Sequence, residues 1–229
     1  MARESFDREL TALSAKILSL GSIVGENILR SVQALRDRNL SVSRQMIDFD
    51  EWVNTQRIEI IMGCLTLIAT QQPTGPDMRA LATMIEIAGE LERIHDYVKG
   101  IGKISLQLGE NLLPDPVTEM LPEMAAITQE MLQQALEAFA ANDATAARQI
   151  PLRDDEVDDL YRRISRALAL RVTAENASYE HANLLQWSVH NLERAADRVT
   201  NICEWIVYKA VGKYVEFDSE FEAPATFQP

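Results

Sequence analysis

The chain has 229 residues, 47% of them hydrophobic, and a formal net charge of −13. This charge argues against a protein that wraps nucleic acid or binds an anionic membrane, because both functions need a basic face. Gly and Pro are sparse, at 9 and 8 residues, which disfavours an all-β or disordered chain.

Apolar residues recur at three- and four-residue steps from Phe6 to Leu35, which predicts a first helix. A short break at 37–39 separates it from a second helix, which ends before the loop Gln71-Gln72-Pro73-Thr74-Gly75-Pro76. A third helix is predicted from Asp77 to about Gly109.

Prolines mark a linker over 114–122, and after it the pattern of three helices begins again. The fourth helix covers about 124–139, the fifth carries Pro151 near its start, and the sixth runs from about Tyr179 to Tyr214. Because Pro151 lacks an amide donor, we expect a kink there. These patterns predict an all-α chain of six helices, divided into a first repeat (1–112), a second repeat (113–216) and an acidic tail (217–229).

The two halves align with a register that changes once. Shifted by 104, Asp50 falls on Asp154; shifted by 101, Leu91-Glu92-Arg93 falls on Leu192-Glu193-Arg194, and Asp96 on Asp197. The change of register lies in the proline loop, which is three residues shorter in the second copy. This agreement indicates an internal duplication.

Each copy carries two acids four residues apart, Glu92 with Asp96 and Glu193 with Asp197, so both acids of a pair share one helix face. Carboxylates are hard ligands, and they favour divalent or trivalent ions of the Mg, Mn or Fe class, with Zn also possible. Further ligands would come from a facing helix, where Asp50 and Asp154 are equivalent. The competing interpretation is a solvated acidic face paired with arginines. The predicted metal ligands are Glu92, Asp96, Glu193, Asp197, Asp50 and Asp154.

His95 follows Glu92 by three residues, as in the Glu-x-x-His motif of di-iron carboxylate bundles. The equivalent residue in the second copy is Ala196, so the set of ligands is incomplete. The chain also lacks the phosphate-binding, dinucleotide-binding and nucleophile-elbow motifs. We therefore expect no enzyme activity and keep a di-metal enzyme only as a minor alternative.

The two cysteines, Cys64 and Cys203, stand alone in apolar stretches, which predicts buried free thiols. No apolar run reaches 18 residues, and the N-terminus has no apolar leader segment. These features predict a cytoplasmic protein.

Three segments form a combined pattern: the turn Gln72-Pro73-Thr74-Gly75-Pro76-Asp77-Met78-Arg79, the helix Glu90-Leu91-Glu92-Arg93-Ile94-His95-Asp96 and the helix Asn191-Leu192-Glu193-Arg194-Ala195-Ala196-Asp197 with Asn201. Together they resemble the PhoU family of phosphate-uptake regulators. The resemblance implies two antiparallel three-helix bundles related by pseudo-twofold symmetry, with metal clusters on the bundle surface. It also implies a negative regulator that links a high-affinity phosphate ABC transporter to a sensor histidine kinase. We expect peripheral membrane association and a possible homodimer.

The chain departs from the family pattern at two positions of the first copy. His95 replaces the usual Gly, and Gly100 stands where the second copy has Asn201. We therefore expect two related but unequal sites, with the second copy closer to the family. A metal-independent helical adaptor is the main alternative function.

Overall fold

The computed structural model describes residues 2–109, 111, 113–174 and 177–217, and this part of the chain contains helices and no strand. The helices of the first repeat are α1 (Ala2–Arg36), α2 (Leu40–Asp48), α3 (Asp50–Gln71) and α4 (Pro76–Leu108). Those of the second repeat are α5 (Asp115–Ala141), α6 (Ala144–Gln149), a 3₁₀ turn (Ile150–Arg153), α7 (Asp154–Ala174) and α8 (Tyr179–Val211).

The all-α prediction is confirmed, but two of the six predicted helices are interrupted near their starts. The second divides into α2 and α3 at Phe49, whose φ of −67° and ψ of −17° remain helical, so the backbone passes from one helix to the next without leaving the helical region. The fifth divides into α6, the 3₁₀ turn and α7. Pro151 lies in that turn, where the missing amide donor and the ring disfavour a regular α-helix.

The two short breaks repeat each other in detail. Arg38 and Asn142 both adopt left-handed conformations, with φ of 56° and 54°. The next residue then caps the following helix: Asn39 accepts from the Val42 amide, and Asp143 accepts from the Thr145 and Ala146 amides. Asn39 and Asp143 are 104 residues apart, so the capped turn belongs to the duplicated unit.

Helices α4 and α8 pack antiparallel along the boundary between the repeats, with α1 against α4 and α5. Glu90 lies close to Asn201, while Asn191 lies against Gly100 at the other end of the contact. A shift of 101 converts one pair into the other, as a twofold relation between the repeats requires. Helices α2 and α3 flank this centre on one side, and α6 and α7 flank it on the other.

A continuous apolar core holds these helices together. Cys64 and Cys203 are buried free thiols in it, as predicted, and burial raises the pKa of Cys64 to about 11. Among the described residues, α1 is the one helix whose length and mean hydropathy, 1.2 over 18 residues, would suit a membrane span. Its residues Ile17, Val24 and Ile28 have no exposed surface, because that face packs into the core.

The predicted acidic tail lies outside the described residues beyond Phe217. The segment before it, 213–217, folds back on α8. Glu204 accepts hydrogen bonds from the Tyr214 hydroxyl at 2.8 Å and from the Phe217 amide at 2.9 Å.

Candidate functional site

In the first repeat, the side chains of Asp50, Asp96 and Lys99 lie together where α3 begins against α4. Asp50, the first residue of α3, is only 8% exposed. Lys99 of α4 donates to Asp50 Oδ2 at 2.6 Å, and its Nζ lies 3.5 Å from Asp96 Oδ1. The structure thus brings Asp50 and Asp96 together around an ammonium group of the protein itself.

His95 lies on the inner side of the same cluster and has no exposed surface. Its Nε2 is 3.4 Å from Asn27 Nδ2, and its Nδ1 is 3.5 Å from Asp50 Oδ1. Burial lowers the pKa of His95, although Asp50 and Asp96 oppose the effect. The ring is therefore neutral at pH 7. With the Asn27 amide donating to Nε2, the ring proton resides on Nδ1 and faces Asp50.

The pKa values of Asp50 and Glu92 shift in opposite directions. Burial opposes ionisation of Asp50, yet Lys99 and then His95 lower its pKa overall. Burial raises the pKa of Glu92, and the charge of Asp96 raises it further, while Arg57 counters both. Lys99 therefore stabilises the Asp50 carboxylate, and Glu92 depends on Arg57.

The second repeat arranges the equivalent acids differently. Asp154 begins α7 as Asp50 begins α3, and Glu193 and Asp197 lie on α8. Burial raises the pKa of Glu193, and Asp197 and the α7 residue Asp158 raise it further. The carboxylates near Glu193 therefore repel one another, as Asp96 and Asp50 repel Glu92 in the first repeat.

The partners of these acids are half-exposed. Arg194 donates to Asp197 at 3.0 Å, with its side chain 40% exposed. His190 Nδ1 lies 3.2 Å from Glu193 Oε2, but the angle does not make a hydrogen bond, so this buried oxygen accepts none. The position equivalent to Lys99 is Thr200, which brings no charge.

The two repeats therefore fit a metal ion unequally. Across the described residues, no three His, Cys, Asp or Glu side chains converge on one point. In the first repeat the predicted ligands do not fit a metal, because Lys99 occupies the space between Asp50 and Asp96. The second repeat fits a hard cation better, since a buried Glu193 oxygen has no hydrogen-bond donor, Asp197 and Asp158 lie near it, and the cationic neighbours His190 and Arg194 are more exposed than Lys99.

Sequence reasoning missed four residues that shape these sites: Lys99, Asn27, Arg57 and His190. The signal for Lys99 was present, because it follows Asp96 by three residues and His95 by four. The repeat alignment also places Lys99 opposite Thr200, which marks an unequal charge. Asn27 and Arg57 come from other helices and could not be paired with the site without the fold.

Comparison with known proteins matches this architecture. The PhoU domain family model matches residues 17–105 and 121–206, once in each repeat. The phosphate-specific transport system accessory protein PhoU homolog of Streptococcus pneumoniae is 32% identical over 216 residues, which are 94% of this chain and 100% of that protein. The homolog from Zymomonas mobilis is 29% identical and covers 92% of this chain and 88% of its own length.

Solved structures give the same result. The crystal structure of the phosphate transport system regulatory protein PhoU from Streptococcus pneumoniae has a TM-score of 0.85 at 30% identity, over 92% of this chain and 99% of that one. PhoU from Pseudomonas aeruginosa also has a TM-score of 0.85, at 27% identity, over 91% and 100%. The duplicated domain, the relatives matched along their length and the shared architecture together show that this chain belongs to the PhoU family.

Proposed function

We propose that this chain is a regulatory accessory protein of a phosphate-specific transport system, and that it represses phosphate uptake and phosphate-starvation signalling when phosphate is plentiful. The observation that carries the proposal is the match along the whole length of the Streptococcus pneumoniae accessory protein, with both repeats present. The match covers 100% of that relative and 94% of this chain.

The finer proposal concerns partners: subunits of the transporter and a sensor histidine kinase, met at the cytoplasmic face of the membrane. A surface suited to protein contact runs along α3. Ile58, Met62 and Leu65, spaced by four and three residues, are 52%, 56% and 45% exposed. The chain carries no charged residue from 60 to 76. An uncharged apolar stripe on so acidic a protein supports binding to a partner helix.

Metal binding is proposed for the second repeat. Glu193 and Asp197 would hold the ion, with Asp154 as the candidate from α7. A hard divalent or trivalent ion would relieve the repulsion among these acids and hold α7 against α8. The support is the buried, hydrogen-bond-free oxygen of Glu193 beside Asp197 and Asp158.

A metal-independent adaptor is the second candidate, and one observation favours it: Lys99 already neutralises the first-repeat acids without any metal. Elemental analysis of gently purified protein separates the two candidates. Bound metal that disappears on Glu193→Ala supports the metal form, and metal-free protein that still regulates supports the adaptor.

The regulatory proposal is tested by deleting the gene and measuring phosphate uptake and a phosphate-starvation reporter at high phosphate. We expect both to rise and to return to normal with the wild-type gene. Complementation with the triple variant Ile58→Ser, Met62→Ser, Leu65→Ser should fail if the α3 stripe binds a partner. Leu170→Ser is the control, because Leu170 is 54% exposed on α7 away from that stripe. Unchanged uptake and reporter activity after deletion would refute the regulatory role.

A further inference from the structure

The first repeat contains a cation-binding arrangement that is already filled. Asp50 is 8% exposed and Lys99 binds it at 2.6 Å, while the same ammonium lies 3.5 Å from Asp96 on the other side. Glu92 is close enough for its ionisation to respond to both Asp50 and Asp96. The ammonium thus lies between the carboxylates of Asp50 and Asp96, and Glu92 shares the helix face of Asp96.

A second observation shows that this cluster is more than an acidic surface. His95 is completely buried, and its Nδ1, aimed at Asp50 Oδ1, makes no hydrogen bond of normal geometry. Asp50 Oδ1 is likewise buried and without a well-formed hydrogen bond. Asp50 Oδ1 therefore lacks a full set of hydrogen bonds beside the ammonium, and together with Asp96 it offers the hard oxygen ligands that a metal ion would use if the ammonium were absent.

The second repeat shows what the site is without the lysine. Thr200 replaces Lys99 there and is 6% exposed, and its hydroxyl makes no hydrogen bond. The cationic partners of Glu193 and Asp197 come instead from His190 and Arg194, both more exposed than Lys99. A half-exposed partner can swing into solvent when a metal arrives, whereas Lys99 is held between two acids.

We propose that Lys99 excludes metal from the first repeat by supplying the cation itself, so that any metal this chain binds is held in the second repeat. The inference rests on the proposed function only for the second repeat; the exclusion by Lys99 stands independently. The two copies share the same acids but differ at one position, Lys99 in the first and Thr200 in the second. The first repeat thus holds a fixed ammonium group, whereas the second can bind a metal ion in its place.

The test is Mn²⁺ binding by full-length protein, measured by equilibrium dialysis and elemental analysis, with circular dichroism to verify folding. For the wild type we expect about one ion per chain, lost on Glu193→Ala and retained on Glu92→Ala. Lys99→Thr, which copies the second repeat, should add an ion that Glu92→Ala removes. The affinity of the first repeat for Mn²⁺ should rise at least about tenfold, because a charged hydrogen bond no longer competes.

Two controls separate charge from position. Lys99→Arg keeps a cation beside Asp50 and should add no metal. Lys103→Thr removes an exposed lysine one turn further along α4 and should also add none. If Lys99→Thr does not fold, Lys99→Gln keeps a donor for Asp50 without the charge, and the same gain is expected.

The outcomes distinguish this inference from the proposed metal function. Loss of wild-type metal on Glu92→Ala, or no added ion in a folded Lys99→Thr or Lys99→Gln variant, overturns the exclusion by Lys99. A wild type without metal, combined with a Lys99→Thr variant that binds Mn²⁺ through Glu92, upholds the exclusion and removes the metal site from the second repeat.

Discussion

His95 is a neutral histidine placed between an amide and a carboxylate in the interior. Asn27 lies at its Nε2 and Asp50 at its Nδ1, and Phe49 packs beside its ring with centroids 5.8 Å apart. Lys99 and Asp96 are the other charged groups that act on it. Since burial has the largest effect on its pKa, protonation is easier in the unfolded chain than in the folded one.

This arrangement predicts a pH dependence of stability. The folded-state pKa of His95 lies below its ordinary value of 6.5, so the unfolded state binds more protons as the pH falls below about 6.5. The free energy of unfolding should therefore fall with pH from about 6.5 downward, by roughly 1.4 kcal/mol for each pKa unit of depression. His95→Gln should remove this slope in urea unfolding curves recorded from pH 7.5 to 5.

The matched control is His181→Gln, which removes a partly exposed histidine near the start of α8. That variant should keep the wild-type slope. Equal slopes in wild type and His95→Gln would show that His95 does not disfavour its charged form in the fold.

At this scale the sequence predicted the acids better than their partners. The spacing of Glu92 and Asp96 shows that they share a face, because a helix sets that relation locally. Nothing local shows that Asp50, 49 residues before Lys99, is the acid that binds its ammonium. That pairing follows from how α3 packs on α4, which a single sequence does not reveal.

Along α4, two glycines occupy opposite environments. A Cβ at Gly102 would lie 2.9 Å from the backbone carbonyl oxygen of Ser43, because α2 crosses α4 closely there. A Cβ at Gly89 would have no neighbour within 4 Å. The first glycine permits helix packing, and the second only weakens the helix.

The two substitutions to alanine should therefore act in opposite directions. Gly102→Ala should lower the free energy of unfolding by about 1–3 kcal/mol, because a backbone atom cannot move aside as a side chain can. Gly89→Ala should raise it by about 1 kcal/mol through helix propensity. Chemical denaturation of both variants measures the signs. Destabilisation by Gly89→Ala would contradict the open space that the structure shows around this position.

The segment after α8 depends on one buried acid. Glu204, 6% exposed, accepts hydrogen bonds from the Tyr214 hydroxyl and the Phe217 amide. Tyr214→Phe removes one donor and should lower the free energy of unfolding by about 1–3 kcal/mol, since a buried carboxylate oxygen loses its partner. It should also speed proteolysis of the C-terminal segment. Tyr179→Phe, at a side chain 72% exposed, is the control and should change neither measurement.

The helices were predictable from apolar periodicity, and their interruptions were predictable only in part. Pro151 indicated the irregular start of the fifth predicted helix because proline excludes a backbone hydrogen bond. No such residue stands at Phe49, whose backbone stays helical, so the division between α2 and α3 left no signal in the sequence.

Over the whole molecule, the register of the duplication carried the most information. It predicted two equivalent repeats, and the capped turns at Asn39 and Asp143 confirm the register in the backbone itself. It also predicted unequal sites from Gly100 and Asn201. The reason for that difference needed the fold, because residues 100 and 191 meet only when α4 and α8 cross between the repeats.

This crossing yields a prediction about how the repeats fit together. In one half of the pseudo-twofold contact Asn201 lies close to Glu90, and in the other Asn191 fills the space beside Gly100. A Cβ at Gly100 would lie 2.6 Å from Asn191 Nδ2. Gly100→Asn, which copies the second repeat, should therefore displace the Asn191 side chain and destabilise the protein by about 0.5–1 kcal/mol, less than Gly102→Ala, because a side-chain end can move aside.

Replacing the opposing side chain should relieve the strain. In a double-mutant cycle, Asn191→Ala should recover much of the stability lost in Gly100→Asn, with a coupling energy of about 0.5–1 kcal/mol. Gly89→Asn on the same helix is the control, since it has open space and should not couple to Asn191→Ala. Urea denaturation of the four proteins in the cycle gives the coupling energy. Strict additivity would show that Gly100 is not required for contact between the repeats, and that its divergence from Asn201 has no origin in packing.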